Sequence, residues 1–275
     1  ENAWSLTDSF ALTTGLRLDE HEEYGAHVSP RVYGVWRATE QWTFKGGVAR
    51  GFKAPELRAV VEDYAYLRRN RFVMFGNPDL KPETSTNYEV SALWSNRDNL
   101  SGGVTLFYND FQDKLSTVTT DRRWNGYTIM ERVNVDKAII QGVELNGQWD
   151  INPSVLLKAN YTYTDSEQKS GANKGAPLAL TPEQKANLRT EWTLNDRTQA
   201  WASLSYYGEE TGNTLTTDEP APGYTTADLG GSYDVSDSLT LNASLNNLTD
   251  KRLDDETYGT VNYGRTLWMG ATLNF

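Results

Sequence analysis

Thr266-Leu-Trp-Met-Gly-Ala-Thr-Leu-Asn-Phe275 closes the chain. Side chains of an extended strand alternate between two faces. Leu267, Met269, Ala271, Leu273 and Phe275 therefore share one face, and Thr266, Trp268, Gly270, Thr272 and Asn274 the other. A chain in water gains little by ending flush on an exposed aromatic strand, because termini fray. In lipid the gain is large, since a barrel must pair its last strand with an earlier one and leave no open edge. The stretch predicts a membrane strand with an apolar outer face and a polar inner face.

The same period of two recurs upstream. Phe10, Leu12, Leu16 and Leu18 alternate with Ala11, Thr13, Arg17 and Asp19, and Trp42, Phe44 and Val48 with Thr43, Lys45 and Ala49. Val155, Leu157, Ala159, Tyr161 and Tyr163 oppose Lys158, Asn160, Thr162 and Thr164. Near the C-terminus, Leu229, Tyr233, Leu239, Leu241 and Leu245 are expected to face lipid, with Asp228, Asn242, Ser244 and Thr272 facing inward. About twelve such strands and an N-terminal stub are expected, many near the ~10 residues of a tilted membrane strand. Tight connections rich in Asp, Asn, Ser and Pro (Thr7–Ser9, Ser95–Asn99, Asp150–Ser154, Leu194–Thr198, Asp234–Ser238) alternate with longer polar ones, the largest spanning Lys53–Glu83. The fold class read from this pattern is an all-β antiparallel transmembrane barrel with short turns at one end and long loops at the other. Trp4, Trp42, Trp149 and Trp192 lie by the short turns, where an interfacial girdle sits.

Composition agrees. Mean hydropathy is −0.63 with only 38% hydrophobic residues. No apolar run approaches the ~20 residues of a membrane helix, which leaves alternating barrel strands untouched. The net charge of −11 argues against nucleic acid as a partner. Without cysteine there are no disulfide frameworks or thiolate metal sites. His21 and His27 flank an acidic stretch, Glu20, Glu22, Glu23 and Tyr24, but show no metal-ligand spacing and read as a solvated loop tip. No nucleophile–base pair or phosphate loop is legible, so no catalytic residue, metal ligand or cofactor is expected.

The ending, with Gly270, Leu273 and Phe275, resembles the C-terminal assembly signal of bacterial outer-membrane barrels, although Trp268 stands where a polar residue is usual. Gly46-Gly-Val-Ala-Arg-Gly-Phe-Lys-Ala-Pro-Glu-Leu57, Gly76-Asn-Pro-Asp-Leu-Lys-Pro-Glu-Thr-Ser85, Ile140-Gln-Gly-Val-Glu144, Asn246-Asn-Leu-Thr-Asp-Lys-Arg252 and Tyr263-Gly-Arg-Thr-Leu-Trp268 follow in the order found in TonB-dependent outer-membrane receptors. The chain resembles that family over essentially its whole length, particularly the receptors for ferric catecholate siderophores. Ser166–Leu178 followed by Thr181-Pro-Glu183 is similar to the colicin I receptor. The resemblance implies a partial barrel domain over residues 1–275, without the N-terminal plug, in the outer membrane of a Gram-negative bacterium. It implies ferric-siderophore uptake energised by TonB in the full-length parent, with iron only as cargo. The implied partners are the siderophore, outer-membrane lipid and lipopolysaccharide, the plug, the TonB complex, and colicins or phage. Alternatives are a porin-like or adhesin barrel, or a receptor for haem, cobalamin or a sugar.

An iron–catecholate complex is a trianion that seeks guanidinium charge and aromatic faces together. Arg58, Tyr64, Tyr66, Arg68, Arg69, Arg71, Phe72 and Phe75 in the large loop meet that description, as do Arg122, Arg123, Trp124 and Tyr127 in the next long loop. The competing role for these arginines is pairing with loop carboxylates or lipopolysaccharide phosphates. Asn77-Pro78 and Lys81-Pro82 are expected to anchor the loop. Lys45, Lys158 and Arg189 are expected to point into the lumen toward the plug.

Overall fold

The structure is a computed structural model that describes all residues except 63, 69, 70, 172, 173, 179, 180, 211–219, 259 and 275, and omits the side chains of residues 136, 255 and 256. Phe275 of the expected assembly signal lies outside the described residues.

Thirteen strands form one antiparallel meander: β1 (Asn2–Ser5), β2 (Phe10–His21), β3 (Gly25–Arg37), β4 (Trp42–Lys53), β7 (Glu83–Ser95), β8 (Leu100–Trp124), β9 (Tyr127–Asn152), β10 (Val155–Gln168), β11 (Gln184–Asn195), β12 (Thr198–Tyr207), β13 (Tyr224–Ser236), β14 (Leu239–Asn246) and β15 (Thr266–Leu273). Within the β4–β7 connection lie a single helical turn, α1 (Leu57–Val60), and a hairpin of β5 (Ala65–Arg68) and β6 (Phe72–Phe75). A second helical turn, α2 (Asp255–Tyr258), lies between β14 and β15. Among the described residues β1 pairs only with β2 and β15 only with β14, so the sheet is open, as expected for part of a wider barrel.

Short turns are closed by their own side chains. Thr7 Oγ1 accepts from the amides of Ser9 and Phe10, and Thr39 Oγ1 from those of Gln41 and Trp42. Asn96 Oδ1 takes the amides of Asp98, Asn99 and Leu100. Such side-chain turns explain why Asx and hydroxyl residues punctuate one end of the meander.

Register assigns the faces. One row runs Phe10–Trp36–Phe44–Ala92–Val104–Leu145–Tyr161–Ala186–Tyr206 across nine strands. A neighbouring row on the opposite face runs Lys45–Ser91–Thr105–Glu144–Thr162–Lys185. At the C-terminal end Leu229 pairs with Leu245, Leu245 with Leu267, Tyr233 with Leu241 and Leu239 with Leu273, while Ser232 pairs with Asn242, Ser244 with Trp268 and Thr240 with Thr272. Residues from Asp150 on β9 to Trp268 on β15, including Arg189, Trp201, Asn242 and Ser244, line a cavity of about 570 Å³ beside the polar face. The large side chains of the aliphatic face stay exposed, as a lipid-facing outer surface requires. Trp4, Trp42, Trp149 and Trp192 join the outer rows near the short turns.

Trp268, the departure from a polar residue, sits on the inner row beside Gly270, where a Cβ would lie 2.7 Å from the indole. The missing side chain at 270 makes room for the large one at 268. Lys158 and Arg189 pair across β10 and β11 on the same inner face. Both reach Glu191 Oε1, at 3.3 and 2.7 Å, and the Arg189 guanidinium lies 4.3 Å from the centre of the Trp201 ring. Lys45 shares the inner row with Ser91. Lys45, Lys158 and Arg189 all lie on the polar face of the sheet.

Candidate functional site

The expected second long loop is instead the top of a tall hairpin. β8 and β9 contain 25 and 26 residues, against the ~9–11 that cross a bilayer. Their far ends meet at Asn125-Gly126, both with positive φ (49° and 87°). That geometry is the tight two-residue turn whose twist matches paired strands, and Asn-Gly is its preferred sequence. Asn-Gly between Trp124 and Tyr127 was the available signal.

The large loop is structured for a related reason. β6 adds to β9 in parallel, Phe72 opposite Thr128 and Met74 opposite Met130, and β5 pairs with β6. The result is a four-stranded projection, β8–β9–β6–β5, on the long-loop side. Its core is Phe72, Met74 and Met130, at 3%, 1% and 0% exposure, with Tyr66 packed against them. The Tyr66 hydroxyl donates to Met74 Sδ at 3.2 Å. At the lower end Gly76 passes so close to Val61 that a Cβ would be 1.9 Å from its carbonyl oxygen. The amides of Gly76 and Asn77 bond the carbonyls of Tyr64 and Ala59, fastening α1 to the hairpin.

Asn77 and Asn134 zip the returning segment to the strands. Asn77 Nδ2 donates to the Arg132 carbonyl at 3.0 Å. Asn134 Oδ1 accepts the Lys81 amide at 2.8 Å, and its Nδ2 donates to the carbonyls of Lys81 and Asp113 at 2.9 and 2.7 Å. Leu80 is buried beside them. The Asn77-Pro78 and Lys81-Pro82 marker is thus an anchor, as expected. Asn247 does the same for the β14–β15 loop: its amide bonds Asp228, its Nδ2 the Lys251 carbonyl, and its Oδ1 the Lys251 amide.

The candidate ligand residues divide. Arg68 pairs in register with Phe72, and Phe72 with Thr128, which pairs with Arg123, so both arginines are carried on one row of the projection. Arg71 lies in the β5–β6 turn with its guanidinium 5.6 Å from the Phe72 ring centre. Tyr64 packs beside Tyr66, with ring centres 6.0 Å apart. Arg69 lies outside the described residues. Phe72 is buried in the projection's core and offers no face to a ligand. Arg122 is paired with Glu131, and Arg58 with Glu56 at 2.7 Å. Two of the arginines thus follow the carboxylate-pairing alternative. Arg58 also stands 5.7 Å from the centre of the Tyr66 ring. The hydrogen bond from Arg58, then its charge and that of Arg132, hold the Glu56 carboxyl below the usual carboxylate range. Arg132, on β9, reaches the same Glu56 oxygen at 3.6 Å; neither residue stood out in the sequence.

His21 and His27 serve the β2–β3 hairpin. His21 Nδ1 accepts the Glu23 amide, and His27 stacks on Phe52 at 3.8 Å and bonds the Tyr24 carbonyl. The described residues contain no group of acidic and histidine side chains able to hold a metal.

The family described as TonB dependent receptor-like, beta-barrel, matches residues 1–248. The chain belongs to that family. It is 41% identical over 286 residues to the iron-regulated outer membrane virulence protein of Vibrio cholerae, covering 100% of this chain and 44% of the relative. It is 30% identical to the ferrienterobactin receptor of Escherichia coli, over 92% of this chain and 36% of that protein. A variant of the ferric enterobactin receptor of Pseudomonas aeruginosa, solved with enterobactin, superimposes with a TM-score of 0.79 at 28% identity, over 98% of this chain and 44% of that one. The chain thus spans less than half the length of these relatives. Its sheet is part of an outer-membrane barrel whose long-loop side is extracellular.

Proposed function

We propose that the full-length receptor binds a ferric siderophore of the catecholate class at the extracellular projection and imports it with energy from TonB. The observation that carries this reading is the row of Arg68 and Arg123, beside Arg71, on a locally basic projection of a protein with net charge −11. A trianion is drawn to such a patch and repelled by the rest of the surface. Relatives named as ferric enterobactin receptors support the choice of ligand class. The role is transport, with iron as cargo and no cofactor of the protein's own. Residues 1–275 form one partial barrel domain, and a plug supplied elsewhere in the parent fills the lumen against Lys45, Lys158 and Arg189. Lipopolysaccharide contacts the outer rim, and colicins or phage use the same loops. A relative named vitamin B12 transporter, 27% identical, motivates cobalamin as the second reading.

The test is growth under iron limitation with ferric enterobactin as sole iron source, in a strain lacking its own catecholate receptors and carrying the full-length gene. Growth that requires TonB supports the proposal. Failure to grow, with import of cyanocobalamin instead, selects the second reading.

A further inference from the structure

The Glu56 side chain does not cap the helical turn it precedes. The residue is extended there (φ −65°, ψ 143°). Its carboxylate is half exposed and a single oxygen, Oε2, faces both Arg58 Nε at 2.7 Å and Arg132 Nη2 at 3.6 Å. Lys53 adds a third attractive charge. One anion thus stands among three cations.

Arg132 is the under-satisfied member. Its side chain is only 21% exposed, and Nε is buried with no hydrogen-bond partner among the described residues. The 3.6 Å contact of Nη2 with Glu56 supplies charge but not a hydrogen bond, and Nε, a different atom of the same guanidinium, is a buried donor left unused, at a cost. Arg132 lies on β9 opposite Thr117, so the unused donor is near the base of the projection.

Resting on the catecholate reading above, we propose that Arg58 and Arg132 form an oxyanion seat in which the Glu56 carboxylate is a resident stand-in, displaced when a multiply charged ligand binds. A ligand oxygen of higher charge, held against both guanidinium groups, accepts from Arg132 Nη2 the hydrogen bond that Glu56, at 3.6 Å, does not make. Glu56 then swings into solvent, which its half-exposed position and lack of a capping bond allow. The seat stays neutralised between ligands and selects against weakly charged complexes, because only a stronger anion can displace the carboxylate.

The experiment titrates the full-length receptor with ferric enterobactin, following tryptophan quenching, for wild type, Glu56→Gln, Arg132→Gln and the double variant. Removing the competitor should tighten binding by ~3–10-fold, as for a 1 kcal/mol-scale charge contact. Arg132→Gln should weaken binding, and in the double variant the gain from Glu56→Gln should vanish, the signature of coupled sites. Unchanged or weaker binding by Glu56→Gln, with wild type binding normally, overturns the proposal and makes Glu56 a brace for the arginines. A second arm needs no siderophore: inorganic tungstate should slow phenylglyoxal modification of Arg132 more in Glu56→Gln than in wild type. If wild type fails to bind ferric enterobactin, the ligand class falls and this arm decides the seat alone. Equal protection in both proteins rejects it.

Discussion

Replacing Leu229 by arginine tests the assignment of faces at its most demanding point. Leu229 is on the outer row between Ala202 and Leu245, five residues from the extracellular end of β13 and seven from the other. At ~3.3 Å per residue and a tilt of ~45°, it sits about 12 Å below one strand end and 16 Å above the other, close to the midplane of a ~25 Å apolar band. Arginine there costs ~2–4 kcal/mol. The native leucine is 46% exposed on the protein surface, where lipid covers it, so the full midplane penalty of ~2–4 kcal/mol is expected. Ser244→Arg, at nearly the same depth but beside the inner cavity, should cost a small fraction of that. Urea titration of the full-length receptor refolded into phospholipid vesicles measures both. Equal penalties, or a larger one for Ser244→Arg, would refute the face assignment and with it the membrane argument.

Other consequences are as direct. Gly76→Ala forces a Cβ against the Val61 carbonyl, a backbone atom that cannot yield, and should loosen α1 from the hairpin at about 1–3 kcal/mol; trypsin cleavage between Arg58 and Arg71 should accelerate while the barrel stays folded. Asn134→Ala removes two hydrogen bonds to Lys81 of the loop return and one to Asp113 of β8, so amide exchange at Lys81 should rise by about 5- to 150-fold, as for a loss of ~1–3 kcal/mol. Joint replacement of Arg68, Arg69 and Arg71 should weaken ferric enterobactin binding and flatten its salt dependence; an unchanged salt slope would place the ligand elsewhere. The Asp250 carboxyl is held below the usual range chiefly by the amide of Arg265, which donates to Oδ1 at 2.9 Å. A depressed folded-state pKa stabilises above the unfolded value and is lost as pH falls through the folded one, so exchange at the Arg265 amide should stay slow at neutral pH and rise only below the ordinary aspartate range. Asp250→Asn should abolish that acid transition.

The sheet was legible because each face imposes a period of two, and lipid allows no compromise: Leu229, Leu241 and Leu245 could only point one way once Asp228 and Asn242 were inward. The projection was hidden for the opposite reason. Phe72, Val73, Met74 and Phe75 form a continuous apolar run without alternation, because this short strand is buried on both faces, and aromatic character there looked like ligand-binding character. Its partner, β9, is parallel and distant in sequence, and no local pattern announces such a pairing. Arg58 and Arg122 were visible as charges, but which carboxylate each would meet depended on folds of the loop that charge alone does not encode. Arg132 sat inside an alternating strand and was unmarked until its unused Nε showed.

The parallel attachment of β6 to β9 also sets an order of events. Each strand of the meander docks on the next meander strand along the chain, so the sheet can zip progressively. Phe72 must wait for Thr128, 56 positions later, and the hairpin that carries Thr128 must itself be standing. The projection is therefore an assembly latecomer. It is fastened after the wall beneath it is already built, and can loosen without the wall coming down.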